Sequence, residues 1–330
     1  MKKELNKSDI KVIHSKSFEK LKLNIKMPYP FNEKLIQLLK KENKFDQEYY
    51  YIEKGKDYAF FILYKNKMNI FTFGKFKCYI NLKVIGYPCS LSNCGYITNN
   101  EKFMFDYIKT IKGAKLVLNV NNPNLIENMT IGKTLPTCIF KNTFTSVDEY
   151  LTSLRSGYRR RINIAINNCK DVKIKEIDDN SIDIYDLYLN TYNKSNYKLE
   201  KLEKGFFEKV EAQKLVFLKN NKPVGFVLIK QDNDKLIFML CGMDYTYDTT
   251  DLYYYMLFNI VKYAIEHKLK IIDFGQTSEV TKMKFGALLE EKYFYAHHTN
   301  KVLNYIVKLG KNILEYKYAF PEYRVFKEET

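Results

Sequence analysis

The alternation of apolar and polar positions divides the chain into two series of elements that follow the same order. Residues 49–80 contain three apolar and aromatic runs separated by "EKGKD" and "KNK", a pattern typical of an antiparallel β-meander. A helical pattern from Glu101 to Lys112 and a strand over 114–122 follow. Residues 214–245 then predict a second meander, with turns at "NNKP" and "DNDK".

The clearest helix in the sequence and a short apolar strand complete the second series. In "DLYYYMLFNIVKYAIEHKLK" (251–270) apolar residues recur at three and four positions, which predicts a helix with one buried face and an N-cap at Thr249 or Thr250. The run "IIDFG" (271–275) is apolar enough to predict a strand buried on both faces. Two passes of meander, helix and strand predict two similarly built α/β domains, at residues 1–140 and 141–330.

Arginine is concentrated near the predicted domain junction. A helix start is indicated by Ser146 and Glu149 at the spacing of a capping box. Beyond it, four arginines occur within seven positions of a chain that otherwise favours lysine; they are Arg155, Arg159, Arg160 and Arg161. The planar guanidinium group suits phosphate and carboxylate ligands, but a run of charge is also typical of a solvated helix face.

A polar turn follows the second apolar strand. Gln276, Thr277 and Ser278 come directly after "IIDFG", at the strand end where a mixed sheet usually exposes its functional loop. The next residues could begin a short helix that favours an anion, with one of Lys282 and Lys284 pointing inward and the other to solvent. The alternative is a helix-capping turn without a chemical role.

Composition adds an excess of positive charge and few candidate metal ligands. The 54 Lys and Arg residues outnumber 38 Asp and Glu residues, for a net charge of +16, which favours an anionic partner such as a phosphate-bearing cofactor, nucleic acid or a membrane surface. Six scattered cysteines and four histidines show no metal-ligand spacing, so neither a metal site nor a disulfide framework is expected. Without a long apolar run or signal peptide, the sequence predicts a soluble, cytoplasmic protein.

Two separated stretches resemble the Fem-type branch of the GNAT acyltransferase superfamily. They are "TLPTCIFKNTFTSVDEYLTSLRSGYRRRINIAIN" and "IIDFGQTSEVTKMKFGA", and the resemblance covers roughly residues 134–310. It implies two tandem GNAT-like domains, each a mixed and mostly antiparallel sheet flanked by helices, with a substrate cleft between them. It also implies transfer of an acyl group from acyl-CoA or a related thioester, bound as a co-substrate, to the amine of a small molecule.

The resemblance also suggests individual residues. Arg159 and Arg161 are candidates for the arginine that follows the "EYL" segment. Gln276, Thr277, Lys282 and Lys284 correspond to the later motif and would bind the substrate or the acyl carrier.

Two further residues are candidates for the chemical step. Asp244 ends the strand nearest the expected cleft and could accept the amine proton, although a turn residue is the alternative interpretation. Tyr245, or Tyr247, could supply a proton to the leaving group.

One departure from the family pattern leaves the donor open. GNAT domains usually hold the pyrophosphate of coenzyme A on a glycine-containing turn, whose backbone N–H groups approach the phosphates. The corresponding segment here, "DYTYDTTDLYYY" (244–255), contains three aspartates and no glycine. Either the donor is held differently or it is another carrier. The second hypothesis is therefore an aminoacyl-tRNA-dependent, peptide-bond-forming transferase of the peptidoglycan-bridge type, and the third is a non-catalytic binding scaffold.

Overall fold

The computed structural model describes residues 10–327 except positions 22, 24, 26, 44, 74–75, 90 and 248. Its contacts divide the chain into two compact units. One combines residues up to Leu135 with Glu291–Lys317, and the other combines Pro136–Glu290 with residues from Tyr318 onward. The predicted boundary lies between residues 140 and 141, whereas the contacts divide the chain after Leu135. They also assign the later segment Glu291–Lys317 to the first unit.

The first unit contains an eight-stranded sheet. Its strands are β1 (Lys11–Ser15), β2 (Gln47–Lys54), β3 (Asp57–Asn69), β4 (Tyr79–Ile85), β5 (Tyr96–Thr98), β6 (Ala114–Val120), β7 (Thr130–Lys133) and β15 (Tyr293–His298). The order is β1-β2-β3-β4-β6-β15-β7, with β5 paired to β3. The helices are a 3₁₀ turn (Phe18–Leu21), α1 (Glu33–Glu42), α2 (Glu101–Thr110), α9 (Lys301–Leu309) and α10 (Lys311–Leu314).

The second unit contains a seven-stranded sheet of order β14-β8-β13-β12-β11-β10-β9. Its strands are β8 (Thr137–Lys141), β9 (Val172–Ile177), β10 (Gln213–Lys219), β11 (Lys222–Asp232), β12 (Lys235–Met243), β13 (Ile271–Asp273) and β14 (Leu288–Glu290). Its helices are α3 (Val147–Ser153), α4 (Ser156–Asn168), α5 (Tyr185–Lys194), α6 (Lys204–Lys209), α7 (Thr249–Glu266) and α8 (Glu279–Met283).

The repeated order of elements corresponds to repeated topology. In the first unit the meander β2-β3-β4 is followed by α2 and then by β6, which pairs parallel to β4. In the second unit the meander β10-β11-β12 is followed by α7 and then by β13, which pairs parallel to β12. The other described strand pairings are antiparallel. The predicted fold class, mixed and mostly antiparallel sheets flanked by helices, is confirmed.

The predicted helix starts have different outcomes. Ser146 is the N-cap of α3, and its side chain accepts a hydrogen bond from the Glu149 N–H, as the capping-box spacing predicts. The N-cap predicted at Thr249 or Thr250 is wrong, because α7 already begins at Thr249. Position 248, which precedes that helix, lies outside the described residues.

The break predicted at "KNK" is also wrong. Strand β3 continues through residues 65–67, where Lys65 pairs with Lys83 and Lys67 pairs with Asn81 of β4. Lys65 and Lys67 are exposed. Polar residues on the solvated side of an antiparallel strand do not end it, and the connection lies instead at 70–78.

Buried side chains of α7 form much of the core of the second unit. Met256, Leu257, Ile260 and Ala264 recur with helical spacing and are all 0% exposed. They belong to one apolar cluster with residues of the central strands, including Phe217 of β10. Among the described residues, no helix combines the length and the apolar content that crossing a bilayer requires.

Candidate functional site

Strands β12 and β13 part after a short paired segment. Lys235–Ile237 pair with Ile271–Asp273, whereas β12 continues to Met243. The register of β12 against β11 shifts at Met239, so the strand bulges where it leaves its parallel neighbour. The opening lies at the carboxyl ends of two parallel strands, which is where mixed sheets usually bind ligands.

The turn that follows β13 has an unusual backbone. Gly275, Thr277 and Ser278 have φ angles of 69°, 64° and 52°. Non-glycine residues held in this left-handed region cost about 1 kcal/mol or more each, and such strain is often found at functional sites. Two adjacent strained residues directly beside the strand opening therefore mark this turn as a candidate site.

Lys282 stabilises this turn from the interior of the second unit. The side chain comes from α8 and is only 2% exposed. Its Nζ donates hydrogen bonds to the carbonyl oxygen of Gln276 at 2.8 Å and to that of Gly275 at 3.4 Å. The expectation that one lysine of the motif points inward is met by Lys282, and its ammonium group is directed at backbone oxygens of the turn.

Other ionisable groups, buried or half-buried, lie near Lys282. Burial lowers the pKa of Lys282, and the nearby Cys138, Cys241 and Glu279 oppose this shift. Burial raises the pKa of Cys241 to about 11, so its thiol keeps its proton at neutral pH. Burial also raises the pKa of Tyr253 well above its usual value, and the Tyr253 hydroxyl is hydrogen-bonded to Ser278.

Two oxygens of the second unit are buried without a hydrogen-bond partner among the described residues. They are Oγ1 of Thr137, at the start of β8, and Oε1 of Glu279, the first residue of α8. Buried polar atoms are nearly always hydrogen-bonded, so these two oxygens are exceptions among the described residues. We refer to Lys282, Tyr253, Cys241 and Glu279 as the Lys282 cluster.

Arg161 contacts residues of α7. Its Nη2 lies 2.7 Å from Oδ1 of Asp251, and its guanidinium carbon lies 4.0 Å from the centre of the Tyr254 ring. Oδ2 of Asp251 also accepts a hydrogen bond from Asn168 at 2.5 Å. Arg161 therefore joins α4 to α7 through an ion pair and a cation–π contact.

Lys284 and Arg159 lie closer to solvent than Lys282. Lys284 is half-buried, and its Nζ lies 5.8 Å from the centre of the Tyr323 ring. Burial raises the pKa of Tyr254, Tyr323 adds to this shift and Arg161 opposes it. Arg161 therefore contacts one of two neighbouring tyrosines, Tyr254, and Lys284 approaches the other, Tyr323. Arg159 is half-buried on α4.

Asp244 and Tyr245 follow the free end of β12. Oδ1 of Asp244 accepts hydrogen bonds from the N–H of Thr246 at 2.9 Å and from its hydroxyl at 2.8 Å, so Asp244 stabilises the turn. The Tyr245 hydroxyl donates to Oγ1 of Thr191 at 3.4 Å. Burial raises the pKa of Tyr245 and Cys241 adds to the shift, which places Tyr245 near the Lys282 cluster.

The turn between β12 and α7 does not fit the usual pyrophosphate cradle. In its described part Asp244 occupies the turn, and the buried Asp251 lies in the first turn of α7. Asp251 already engages Arg161, and Asp244 adds a carboxylate to this turn, whereas a pyrophosphate cradle consists of N–H donors. Helix α8 contains only five residues, which leaves no anion site at its start.

Sequence reasoning missed three members of the Lys282 cluster. From the sequence, Tyr253 was assigned to the apolar face of a helix and Cys241 to a strand. Glu279 lay in the motif that contains Lys282, but no role was assigned to it. The signal that could have found them is the polarity of these three side chains at positions whose neighbours are apolar. Among the described residues, no group of His, Cys, Asp and Glu has the geometry of a metal site.

Part of the second unit is similar to a known domain family. Residues 155–283 match the family model of the acetyltransferase (GNAT) domain. Comparison with curated protein sequences gives no significant match.

Solved structures with a similar fold cover most of the chain. The structure of L-PGS from Bacillus licheniformis has a TM-score of 0.50 and 11% identity, over 89% of this chain and 98% of that chain. A tandem GNAT protein from the clavulanic acid biosynthesis pathway has a TM-score of 0.50 and 5% identity, over 88% of this chain and 99% of the other. FemX has a TM-score of 0.48 and 13% identity, over 84% and 93%.

The similarity to known proteins covers one domain by sequence and both units by fold. The family model lies within the second unit, where the strands part, and the two structures at a TM-score of 0.50 have the same fold over nearly their whole length. The predicted resemblance to the GNAT acyltransferases is therefore confirmed for residues 155–283, and the two-unit fold agrees with that of the tandem GNAT protein.

Proposed function

We propose that the second unit transfers an acyl group from a thioester or ester carrier to the amine of a small molecule, at the opening between β12 and β13. The observation that carries this proposal is the parting of these strands beside the Lys282 cluster. Alternate backbone N–H groups of a strand point to opposite edges, so the free edge of β12 can pair with an extended acyl carrier. A backbone N–H directed at the acyl carbonyl would stabilise its developing negative charge.

The chemical step needs one proton acceptor and one proton donor. The amine nitrogen attacks the carbonyl carbon, a C–N bond forms, and the C–S or C–O bond to the carrier breaks. Asp244 accepts the proton that the amine loses, directly or through water, and Tyr245 donates a proton to the leaving group. Tyr245 can act as this donor because a tyrosine hydroxyl is protonated at neutral pH and Tyr245 follows the free end of β12.

The remaining candidates bind or position the substrates. Lys282 is a positioning residue, because it holds the strained turn through the carbonyl oxygens of Gly275 and Gln276. That turn presents the side chains of Gln276 and Thr277 to the acceptor. Arg159 and Lys284 bind anionic groups of the carrier, whereas Arg161 contributes through the joint between α4 and α7.

An aminoacyl-tRNA is the second candidate carrier. Asp244 in the turn where a glycine cradle would hold the pyrophosphate of coenzyme A favours a different donor. The net charge of +16 also suits a polyanion. The same residues would then act on an ester carbon, and the bond that breaks would be C–O.

A donor comparison on the full chain tests both candidates. The purified protein is incubated with a panel of amines and either acyl-CoAs or charged tRNA, and the N-acylated products are measured by mass spectrometry. Transfer from acyl-CoA supports the first candidate, and transfer only from charged tRNA supports the second. Absence of product with every donor from a correctly folded protein contradicts the proposal and favours a non-catalytic scaffold.

Substitution of Tyr245 tests its role directly. Tyr245→Phe removes the hydroxyl and keeps the ring, and we expect kcat to fall by about 100-fold with little change in KM. Tyr247→Phe tests the alternative donor, which lies two positions away and is 37% exposed, and we expect its kcat to stay close to that of the wild type. A wild-type kcat for Tyr245→Phe would assign the proton transfer to another group, and a loss only in Tyr247→Phe would assign it to Tyr247.

A further inference from the structure

Helices α9 and α10 of the first unit present an apolar face to solvent. Four residues follow one another at intervals of four, three and four positions, so they lie on one side of the helical segment. They are Val302 (68% exposed), Ile306 (55%), Leu309 (66%) and Ile313 (55%). Tyr305, which is 62% exposed, lies beside them. We call these five residues the α9 apolar face.

The other side of α9 is fixed to the protein by polar contacts. The side chain of Asn304 accepts a hydrogen bond from the His298 N–H at 2.9 Å and donates one to the carbonyl oxygen of Asn128 at 3.0 Å. Asn300 caps the helix by accepting from Val302 and Leu303. A surface helix normally buries its apolar side, so this orientation is inverted and leaves a patch typical of an interaction site.

The surroundings of the α9 apolar face are positively charged. Residues 299–317 contain four lysines (Lys301, Lys308, Lys311 and Lys317) and one acid, Glu315. An oxygen of Glu315 accepts a hydrogen bond from the Lys133 N–H at 3.4 Å, so the carboxylate lies toward β7. Apolar side chains bordered by lysines are the combination by which helices bind at the surface of a bilayer that contains anionic lipid.

A second group of exposed aromatic residues lies in the β3–β4 connection. Phe76 is 80% exposed and Tyr79 is 56% exposed. The same connection contacts the end of the α9–α10 segment, because the rings of Phe73 and Tyr316 lie 4.9 Å apart. Exposed apolar surface therefore occurs on both chain segments that meet at this contact.

We propose that the α9 apolar face docks the protein reversibly on a membrane surface rich in anionic lipid. The apolar side chains would enter the boundary between head groups and acyl chains, and the lysines would contact lipid phosphates. A second copy of this chain is a poorer occupant, since it would bring the same lysines and another net charge of +16 to the contact. The proposal is independent of the acyl-transfer chemistry of the second unit.

Vesicle sedimentation with the full chain tests this proposal. We expect binding to vesicles of phosphatidylcholine mixed with phosphatidylglycerol, and much weaker binding to phosphatidylcholine alone. Ile306→Ser combined with Leu309→Ser should weaken binding at least about tenfold, because two exposed apolar side chains no longer enter the lipid. The matched control is Leu125→Ser with Leu288→Ser, which changes leucines that are 97% and 65% exposed elsewhere and should leave binding unchanged.

Charge reversal separates the lysines of this surface from the general charge of the protein. Lys308→Glu with Lys311→Glu should reduce binding at least about tenfold at low salt. Lys201→Glu with Lys222→Glu makes the same change in net charge at exposed lysines of the second unit and should have a much smaller effect. Equal losses from the two pairs would mean unspecific attraction and would overturn the proposal.

Two other results would also overturn it. One is that the wild-type protein does not sediment with anionic vesicles. The other is a dimer, detected by light scattering without lipid, that becomes monomeric when Ile306 and Leu309 are replaced by serine; the apolar face would then bind a second copy. Because both side chains are exposed, thermal unfolding should be unchanged in these variants, so lost binding cannot be attributed to misfolding.

Discussion

Arg161 and Lys282 look alike in the sequence, as cations of motifs that could bind an anion, but their contacts in the structure differ. Arg161 faces a carboxylate and an aromatic ring, whereas Lys282 faces two carbonyl oxygens of a strained turn. In both cases the protein itself supplies electron-rich partners. A cluster of positive charge in a sequence therefore overestimates how many cations remain available to a ligand.

Replacement of Arg161 is expected to destabilise the second unit. Arg161→Met leaves Asp251, which is 8% exposed, without its main counter-charge, and loss of one partner of a buried pair is costly. Because Arg161 is itself partly exposed, we expect a loss of about 2 kcal/mol in the free energy of unfolding, measured by urea denaturation. The control is Arg160→Met, an exposed neighbour on the same helix, which should change stability by less than about 0.5 kcal/mol. Equal effects of the two substitutions would show that the ion pair contributes little.

Packing of α5 against the sheet depends on the absence of a side chain at position 242. A Cβ atom on Gly242 would lie 2.4 Å from the Phe226 ring and 2.5 Å from the backbone of Leu187 in α5. At position 157, in the first turn of α4, a Cβ atom would meet nothing within 4 Å. The same chemical change should therefore have opposite effects at the two positions.

We expect Gly242→Ala to lower the free energy of unfolding by about 1–3 kcal/mol, as overpacked cores do. Gly157→Ala should instead raise it by about 0.5 kcal/mol, because alanine loses less backbone freedom than glycine when a helix forms. Urea denaturation of both variants measures the difference. A Gly242→Ala variant as stable as the wild type would mean that α5 can move away from β12 without a loss in the free energy of unfolding.

The sequence predicts elements well where local pattern and turn chemistry agree. Strands β10, β11 and β12 and the turns between them match the prediction. Helix α7 was predicted to bury one face, but Leu252, Phe258 and Val261 are buried as well, so the core surrounds more of the helix than the spacing indicated. The break at "KNK" fails because local polarity cannot distinguish a turn from the solvated face of a long strand. For the candidate site, the inward lysine was foreseen, but the neighbours of Lys282 were not, since Cys241 and Tyr253 meet it only through the folding of β12, α7 and α8.

Each of the two units is completed by a segment that is distant in the sequence. Strand β15 lies between β6 and β7, where Tyr295 is opposite Val117 on one side and Ile131 on the other. In the second unit, the Arg155 N–H donates to the carbonyl oxygen of Val325, and the Lys327 N–H donates to that of Ser153. Strand periodicity predicts that 293–298 is extended, but it does not specify which sheet receives it.

The position of β15 predicts how fragments of the chain fold. Residues 1–140 alone lack the strand that joins β6 to β7, and they lose the contact between Phe105 and the fully buried Tyr295, whose rings lie 4.4 Å apart. We expect circular dichroism to detect no cooperative unfolding transition of this fragment in urea. The matched fragment joins residues 1–135 to 291–317 through a flexible glycine–serine linker, and it should regain a cooperative transition because β15 then fills its place in the sheet. If residues 1–140 unfold cooperatively without β15, the first unit ends at the boundary predicted from the sequence, and the later segment only adds to a domain that is already complete.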